Sequence, residues 1–473
     1  MSVEIIGIIA VLIGFVSLYR EPSFIVYIFV CSTLLGAAAG LILEALGGAT
    51  VSPAHLLLGF LSYRLLSDPE IAREAVEAVK PGRPGFWLAL TVAFSLVTAY
   101  LFPRLFAGQT YVFPVRAQNQ FTEALQPANS NLTQSVYFIG DLLCFMVVSA
   151  VAASRSGTRI MMNAVLTGAV LNLVFAALDL LTYFTGTAEV LSFIRNSTYT
   201  IYADDQAGGL KRIIGSFTES SSFGSMTLGY FALTLRLWLM GLYPRFTLIV
   251  TFLSLLALLF ATSTTAYVGL AIFFAILYLE MLVRALSRSG TPQMRWLVFG
   301  TPILLLVLLL LIALSDESWA YFQNLLDTFV LKKMNTASGA ERSSWNRVAL
   351  QSFFDTLGFG VGNGSARSSS FLIAVLASLG MIGTPLFVTF MIGVFRGGRT
   401  SADPLSPMLQ LGAKSTCLAW LISSSISGTQ LDLGLSFYLF AAVACAKQSP
   451  LIASDAWSNS WSPDPSRTAM FSG

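Results

Sequence analysis

Residues 315–370 read SDESWAYFQNLLDTFVLKKMNTASGAERSSWNRVALQSFFDTLGFGVGNGSARSSS and separate two strongly apolar runs of the chain. This stretch gathers basic, acidic, aromatic and glycine residues in a sequence that is 55% hydrophobic and only 11% charged. Connecting segments carry binding and catalytic residues more often than the elements they join. We therefore expect the functional chemistry of the protein to lie in this stretch.

A helix is predicted inside the stretch. Ser338 and Glu341 have the S-x-x-E spacing of a capping box, which predicts a helix from near residue 339 toward residue 356. On a wheel of 100° per residue, Arg342 falls on the apolar stripe of this helix and Arg347 falls on the far side. The stripe itself consists of Trp345, Val348, Ala349 and Phe353.

Arg342 is accordingly the better candidate for contact with an anionic substrate. A guanidinium held on an apolar face is costly unless it binds an anion. Two structural alternatives stay open, because the side chain can also snorkel to the surface or pair with Glu341 or Asp355.

A glycine run follows the predicted helix. Every second residue from Gly358 to Gly364 is glycine, which permits tight turns and close approach of the backbone to other groups. The run fits either an ordinary loop or a cradle of backbone amides that binds an anion.

The composition indicates a membrane protein. The 473 residues have a mean hydropathy of +0.74, far above that of soluble globular proteins. At about 20 apolar residues per crossing, the apolar runs predict an all-α polytopic membrane protein with about 12 or 13 transmembrane helices. The runs lie near residues 5–19, 23–45, 52–67, 86–104, 135–153, 159–184, 223–240, 245–262, 265–285, 296–314, 371–395, 409–427 and 430–446.

These runs predict a single integral membrane domain over residues 1–450. The expected large outer loops lie near residues 105–134, 185–222 and 315–370, the last with amphipathic helices, and residues 451–473 form a polar tail that we expect to be cytoplasmic and disordered. Basic residues in alternate connections, such as Arg155 and Arg159, assign those connections to the cytoplasm. Basic residues also remain in the long outer loops, against the usual topology rule, and an anionic substrate on that side would account for them.

The charged residues and the cysteines limit the classes of function that the sequence allows. The net charge is only +3 and the basic residues are scattered, which gives no indication of nucleic-acid binding. The four cysteines lie inside apolar runs and are predicted to be core residues. Three acids within predicted spans, Glu44, Asp141 and Asp179, are expected toward the outer ends of their helices, either in a water-filled cavity or at the membrane interface.

A second informative stretch, KRIIGSFTESSSFG at residues 211–224, ends the loop before the seventh run. Serines at residues 220–222 open the next predicted helix, whose amino-terminal amides favour anions. The stretch suits a phosphorylated sugar, although a capped helix entry with surface charges would look the same. It combines a permanent cation, a flexible turn, an aromatic ring and a carboxylate in Arg212, Gly215, Phe217 and Glu219.

In this order, the stretches resemble the O-antigen ligase and polymerase superfamily of bacterial inner-membrane glycosyltransferases. The resemblance covers residues 212–383, roughly the second half of the chain. Its pieces are R-x-x-G-x-F-x-E at 212–219, a hydroxyl-rich break at 262–265, E-R-x-x-W at 341–345, the glycine run at 358–364 and SLGMIG at 378–383.

The resemblance implies a polysaccharide polymerase that joins undecaprenyl-diphosphate-linked repeat units at the periplasmic face of the inner membrane. Both donor and acceptor would be lipid-linked glycans, with no metal, cofactor or nucleotide sugar, no nucleic-acid partner, and a chain-length regulator as a further partner. Polymerases of this kind carry an Arg-x10-Gly motif in outer loops. Arg347 to Gly358 has that spacing, whereas Arg212 to Gly224 has one residue too many.

Ligases of the superfamily carry an essential histidine in the large outer loop. The single histidine here is His55, near the start of a predicted span, which argues against a ligase. A ligase and a lipid-linked glycan transporter nevertheless stay open as alternatives.

The resemblance assigns roles to particular residues. Arg212 and Arg342 are expected to stabilise the departing diphosphate, and Glu219 to orient or deprotonate the acceptor. The residues expected to bind substrate are Arg347, Arg367, Trp345, Phe217, Gly215 and Gly358.

Overall fold

The computed structural model describes residues 2–115, 121–207, 210–286, 291–326, 337–398 and 403–448. The chain is mostly helical within these residues. The predicted tail over residues 451–473 lies outside them.

The helices follow the apolar runs closely in most places. The first eight are α1 (Ile5–Leu18), α2 (Pro22–Ser32), α3 (Pro53–Leu66), α4 (Pro69–Glu77), α5 (Pro84–Leu105), α6 (Asn129–Ala152), α7 (Arg155–Phe184) and α8 (Ser220–Leu239). The others are α9 (Pro244–Phe260), α10 (Thr264–Leu286), α11 (Pro292–Ala313), α12 (Asp316–Leu326), α13 (Ala337–Asp355), α14 (Phe371–Arg396), α15 (Leu405–Ser427) and α16 (Leu435–Cys445).

Short antiparallel strands pair within some of the segments that connect the helices. One sheet has the order β1 (Ser2–Val3), β2 (Leu41–Leu43), β3 (Ala49–Val51). Two hairpins pair β4 (Tyr111–Val112) with β5 (Glu123–Ala124) and β6 (Gln206–Ala207) with β7 (Leu210–Lys211). Short 3₁₀ helices at Glu44–Leu46 and Ala188–Ile194 complete the connections.

Six of the described helices are long and apolar enough to cross a membrane, namely α5, α6, α7, α10, α11 and α14. Helices α1, α2, α9 and α16 are apolar but shorter. Helices α8 and α15 contain 20 and 23 residues and carry more polar side chains. The predicted helical architecture with apolar, membrane-length helices is therefore confirmed.

Helix α11 presents its apolar side chains to the outside. Each residue from Ile303 to Leu311 is at least 45% exposed. A soluble protein rarely exposes an apolar surface this long, but hydrocarbon solvates it without cost. The composition of α11 therefore fits a helix that faces lipid.

Helix α16 lies at the centre of the bundle. All of its residues except Ser436 are buried. It packs against α6 through Phe138 and Tyr438, whose ring centres are 6.1 Å apart, and against α15 through Trp420 and Phe440, at 5.2 Å. A helix that is apolar on all sides is expected in such a position.

The described parts of the three predicted outer loops lie at one end of the bundle, which we call the loop end: residues 106–115 and 121–128, 185–207 and 210–219, and 356–370. Asn131 at the start of α6 donates a hydrogen bond to the Asn363 carbonyl oxygen (2.7 Å), and the Arg367 amide donates to the Phe113 carbonyl oxygen (2.8 Å). These bonds hold the first and third loops together. The second loop joins them through Glu219, described below.

The run over residues 23–45 is not one helix, contrary to the prediction. Helix α2 ends at Ser32, and the irregular residues that follow bind the second outer loop instead of continuing the helix. The Ala37 amide donates to the Ser216 carbonyl oxygen (2.9 Å), and the Asn196 amide donates to the Ala37 carbonyl oxygen (3.1 Å). Since these partners lie far away in sequence, the apolar pattern gives no sign of them.

Helix α14 is also interrupted, whereas the sequence predicts one continuous span. Gly380 has φ 63° and ψ −166°, a conformation that essentially only glycine adopts. The break lets residues 358–361 dock against α14: the Met381 amide donates to the Gly358 carbonyl oxygen (2.9 Å), and the Val361 amide donates to that of Ala377 (2.8 Å).

We predict that Gly380→Ala destabilises the protein by about 1–3 kcal/mol, because a Cβ atom forces this conformation into strain. An added Cβ would also collide with the Phe359 backbone. Thermal unfolding in detergent micelles measures the loss. Gly300→Ala in α11 is the control, since nothing lies within 4 Å of its added Cβ. Equal unfolding midpoints for the two variants would contradict the assigned role of Gly380.

Candidate functional site

Separate segments of the loop end meet at Arg367. The guanidinium carbon of Arg367 lies 3.8 Å from the centre of the Trp345 ring. Glu341, Glu219 and Arg342 are close enough to affect the pKa of Arg367. We call these five residues the Arg367 cluster. It joins α13 and the residue before α8 to the segment that leads into α14.

The charges of the Arg367 cluster balance one another. Burial lowers the pKa of the Arg367 guanidinium, Glu341 and Glu219 raise it, and Arg342 lowers it. Arginine stays protonated in proteins, so the cluster contains two cations facing two carboxylates. An incoming anion would compete with these carboxylates for guanidinium groups that are already in place.

Three successive backbone amides fix the position of Arg367. The amides of residues 367–369 donate in turn to the Phe113 carbonyl oxygen (2.8 Å), the Thr429 carbonyl oxygen (3.2 Å) and the side-chain oxygen of Asn346 (2.8 Å). The acceptors belong to the first outer loop, the segment after α15 and helix α13. Three elements from other parts of the sequence thus hold the backbone that carries the Arg367 side chain.

The glycine run lets this segment pass close to neighbouring helices. A Cβ on Gly362 would lie 2.5 Å from the Thr98 carbonyl oxygen of α5, and one on Gly360 would lie 2.7 Å from that of Ala377 in α14. The amide of Gly360 donates to the Thr356 hydroxyl (3.1 Å). Of the two uses predicted for the run, close packing is the one these contacts favour. Gly358 takes part in it, with φ +81° and Met381 against it.

Helix α13 places Arg342 and Arg347 as the helical wheel predicts. Arg342 is half-buried and Arg347 is exposed. The helix includes Ser338, so it does not begin after that residue, contrary to the predicted capping box. Asp355 accepts hydrogen bonds from Thr110 (2.7 Å) and Gln351 (2.7 Å), which leaves Glu341 as the acid closest to Arg342 along the helix.

Arg212 lies in a different environment. Its Nη1 atom is 2.6 Å from Asp205 Oδ2, its amide donates to the Asp205 carbonyl oxygen (3.1 Å), and its Nε atom is buried with no hydrogen-bond partner. Arg342 acts electrostatically on Arg367, and the predicted pairing of Arg342 with Arg212 stays a prediction. Arg212 belongs to the hairpin that follows Tyr202.

Glu219 enters the Arg367 cluster from the start of α8. It occupies the position before the first helical residue and accepts a hydrogen bond from the Ser221 hydroxyl. The first amides of α8 therefore lie beside the cluster. A helix amino terminus carries a partial positive charge and favours anions.

A buried carboxylate, Asp179 near the end of α7, holds the segment before α8. Its Oδ1 lies 2.7 Å from Arg195 Nη2, and its Oδ2 lies 3.6 Å from Lys211 Nζ. The amides of Ile214 (2.7 Å) and Gly215 (3.2 Å) donate to Oδ2. Asp179 is only 2% exposed and fully paired, so it is not an acid in a water-filled cavity.

Gly215 and Phe217 belong to this support. The Gly215 carbonyl oxygen accepts a hydrogen bond from Arg195 Nε (3.0 Å). Phe217 is 6% exposed, and its ring centre lies 6.5 Å from that of Phe223. The structure therefore places both among packed residues and not in the Arg367 cluster.

The sequence reasoning did not assign Glu341 or Tyr202 to the site. Glu341 lies four residues before Trp345, a spacing that places both on one side of a helix and could have indicated it. Tyr202 also affects the pKa of Arg367, and its amide donates to the Thr218 carbonyl oxygen (2.9 Å). That bond folds the second loop back beside Glu219, and no local signal in the sequence predicts it.

The hydroxyl-rich break forms the predicted tight turn, between α9 and α10. The hydroxyls of Thr262 and Thr265 are buried without hydrogen-bond partners. The turn approaches α8, since a Cβ on Gly224 would lie 2.9 Å from that of Ala266. The unsatisfied hydroxyls of Thr262 and Thr265 therefore belong to a turn that packs near the start of α8.

Comparison of the sequence with protein-family models gives no match, and comparison with curated protein sequences gives none either. The superfamily resemblance therefore depends on the motif residues themselves. Two of those motifs, at residues 212–219 and 341–345, each contribute a carboxylate to the Arg367 cluster.

We predict that Asp179→Asn destabilises the protein by about 3–5 kcal/mol, because it leaves two buried cations without their carboxylate. Asp205→Asn is the matched control. It breaks the pair with Arg212, whose side chains are 24% and 38% exposed, and should cost only about 0–1 kcal/mol. Thermal unfolding in detergent compares the two, and similar losses would show that Asp179 does not hold the segment.

Proposed function

We propose that the protein is a membrane glycosyltransferase that polymerises oligosaccharide units carried on a lipid diphosphate, undecaprenyl diphosphate in a bacterium. The observation that carries this proposal is the position of Arg367, near Arg342 and near Glu219 at the amino terminus of α8. Guanidinium groups and helix amides are the groups that proteins use to bind phosphates.

The reaction we propose is a displacement at the anomeric carbon of the donor. An acceptor hydroxyl forms the new glycosidic bond, the bond from that carbon to the diphosphate oxygen breaks, and the lipid diphosphate leaves. Negative charge develops on the leaving group, where a preorganised donor contributes about 10²–10³-fold in rate. Glu219 and Glu341 are the carboxylates positioned to accept the proton of the acceptor.

The roles of the arginines are revised accordingly. Arg342 and Arg367 are proposed to bind the diphosphate, and Trp345 to fix the plane of Arg367. Arg212, which is paired with Asp205, and the exposed Arg347 are proposed to have secondary roles. Gly215, Phe217 and Gly358 support the site through packing.

The location fits a lipid-linked substrate. The loop end contains the first residues of α8 and α14, so a diphosphate at the membrane surface could reach the cluster while its prenyl chain stays in the bilayer. We propose about twelve crossings, with the shorter apolar helices and α8 and α15 added to the six long ones, and a periplasmic loop end in the bacterial inner membrane.

A ligase is disfavoured by the position of the single histidine. His55 lies at the start of α3, with its ring centre 5.2 Å from that of Tyr137 in α6. It is therefore held in the bundle and is not part of the loop segment that carries Arg367.

A lipid-linked glycan transporter is the second candidate. Interrupted helices are typical of transporters. The interruption of α14 at Gly380 and the irregular residues 428–434 before α16 favour this alternative.

Substitution at the cluster tests the polymerase. In a strain that lacks the native gene, a copy with Arg367→Ala or Arg342→Ala should form long glycan chains at about 10²–10³-fold lower rate than wild type, since one diphosphate donor is lost. Arg104→Ala removes an exposed arginine of the same end and should retain wild-type chain length. Immunoblots of membranes confirm equal protein levels. Wild-type chains from both cluster variants would refute the proposal.

The deletion strain separates the alternatives. A lost polymerase leaves single repeat units displayed without long chains. A lost ligase leaves long chains that are missing only from their anchor, and a lost transporter leaves no outward-facing intermediate.

A further inference from the structure

A second group of ionisable side chains lies inside the bundle, away from the Arg367 cluster. Asp141 of α6 and Asp432, from the segment between α15 and α16, are within hydrogen-bonding reach of each other. Asp141 is 1% exposed. It lies about 18 Å along α6 from Asn129 at a rise of 1.5 Å per residue. This is halfway down the helix and not at its outer end, where the sequence places it.

Polar atoms of Asp141 and Tyr438 lack partners here, whereas Asp432 Oδ1 accepts a hydrogen bond from the Gly434 amide (2.5 Å). Neither carboxylate oxygen of Asp141 has a hydrogen bond, and the hydroxyl of Tyr438, which is 0% exposed, has none either. Two ionised carboxylates can only accept hydrogen bonds, so they cannot satisfy each other. A proton between them would turn this repulsive contact into a hydrogen bond.

The surrounding helices hold the two acids together. Tyr438 of α16 packs edge-on against Phe138 of α6, with ring centres 6.1 Å apart, and Cys144 Sγ contacts the Leu435 carbonyl oxygen at 3.7 Å. These contacts lie about one turn before and one turn after Asp141. They hold the start of α16, which follows Asp432 by three residues, against α6.

The ionisable groups around the pair come from three helices. His55 of α3 lies near Asp432, Cys144 of α6 near Asp141, and Tyr438 of α16 near both acids. His55 Nδ1 shares a hydrogen bond of 2.8 Å with the Ser52 hydroxyl. No lysine or arginine is among the described groups that act on Asp141.

Asp432 lies on irregular backbone. Helix α15 ends at Ser427 and α16 begins only at Leu435, and the 11 residues of α16 are too few to cross a membrane without the irregular residues that precede them. Irregular backbone at membrane depth is tolerated only inside protein or beside a water-filled cavity, and it often marks a binding site. The same segment reaches the loop end, where the Ser368 amide donates to the Thr429 carbonyl oxygen (3.2 Å).

We propose that Asp141 and Asp432 form a proton-binding site, in which one protonated carboxyl donates to the other and the bound proton holds residues 428–434 against α6. The proton comes from water, and one carboxylate charge remains on the pair. When the proton leaves at alkaline pH, the buried Asp141 and the half-buried Asp432 carry like charges that face each other, and the segment loses its attachment. This site is independent of the reaction proposed for the Arg367 cluster.

A small metal ion is the competing occupant. Direct contact between the two carboxyls favours the proton, because an ion would sit between them and add further ligands. The described residues contain no group of three or more His, Cys, Asp or Glu side chains that could hold a metal.

Infrared spectroscopy of the purified protein in detergent tests the proposal directly. At neutral pH, the wild type should show the carbonyl stretch of a protonated carboxylic acid, shifted in D₂O. The Asp141→Asn/Asp432→Asn double variant should lose this band. Asp316→Asn, which changes an exposed carboxylate of α12, should keep it. No band in the wild type, an unchanged band in the double variant, or loss of the band with proton release when NaCl or CaCl₂ is added would each overturn the proposal.

The pH dependence of stability gives a second test that does not rely on the double variant. The proton stabilises the folded protein while it is bound, so the unfolding midpoint of the wild type should fall as the pH rises through the release of that proton. In Asp141→Asn, the amide can donate to Asp432 at every pH, and this alkaline fall should disappear. An alkaline fall of the same size in Asp141→Asn would contradict a shared proton.

Discussion

The need to satisfy backbone polar groups away from water is the constraint on which the rest of this structure depends. Three irregular segments, residues 33–40, 356–370 and 428–434, follow or precede helices in an apolar bundle. Each finds its hydrogen bonds in a remote part of the chain, as when Ala37 binds Ser216 or Ser368 binds Thr429. Since unpaired backbone groups are costly in an apolar environment, these bonds fix which loops meet.

The same constraint acts on buried carboxylates, with two different results. Asp179 has two cations and two amides as partners, so it remains a buried ion with a structural task. Asp141 faces another acid, and its oxygens have no hydrogen-bond partner. A buried carboxylate must be either paired or neutral, and the two acids illustrate each outcome.

The Arg367 cluster is intermediate between these two cases, because its charges have partners of opposite sign but are only half-buried. Its arginines are matched by Glu219 and Glu341 at a half-buried surface, so they are held in place without losing access to a ligand. Preorganised cations of this kind stabilise charge that develops during a reaction without moving to meet it. This is the physical basis on which a diphosphate leaving group is proposed.

Composition and apolar runs determined by themselves that the chain is a helical protein with membrane-length helices, and a wheel determined that Arg342 faces inward. These properties depend on local spacing, which any helix of this sequence would share. Only the tertiary structure decided that α2 stops at Ser32, that α14 breaks at Gly380, and that Arg367 lies near Arg342. The apolar runs continue past the end of α2 and through the break in α14. The hydrogen bonds formed at these two places come from other segments of the chain. Sequence spacing determines which face of a helix a side chain occupies. Long-range backbone hydrogen bonds determine which loops contribute residues to the same site.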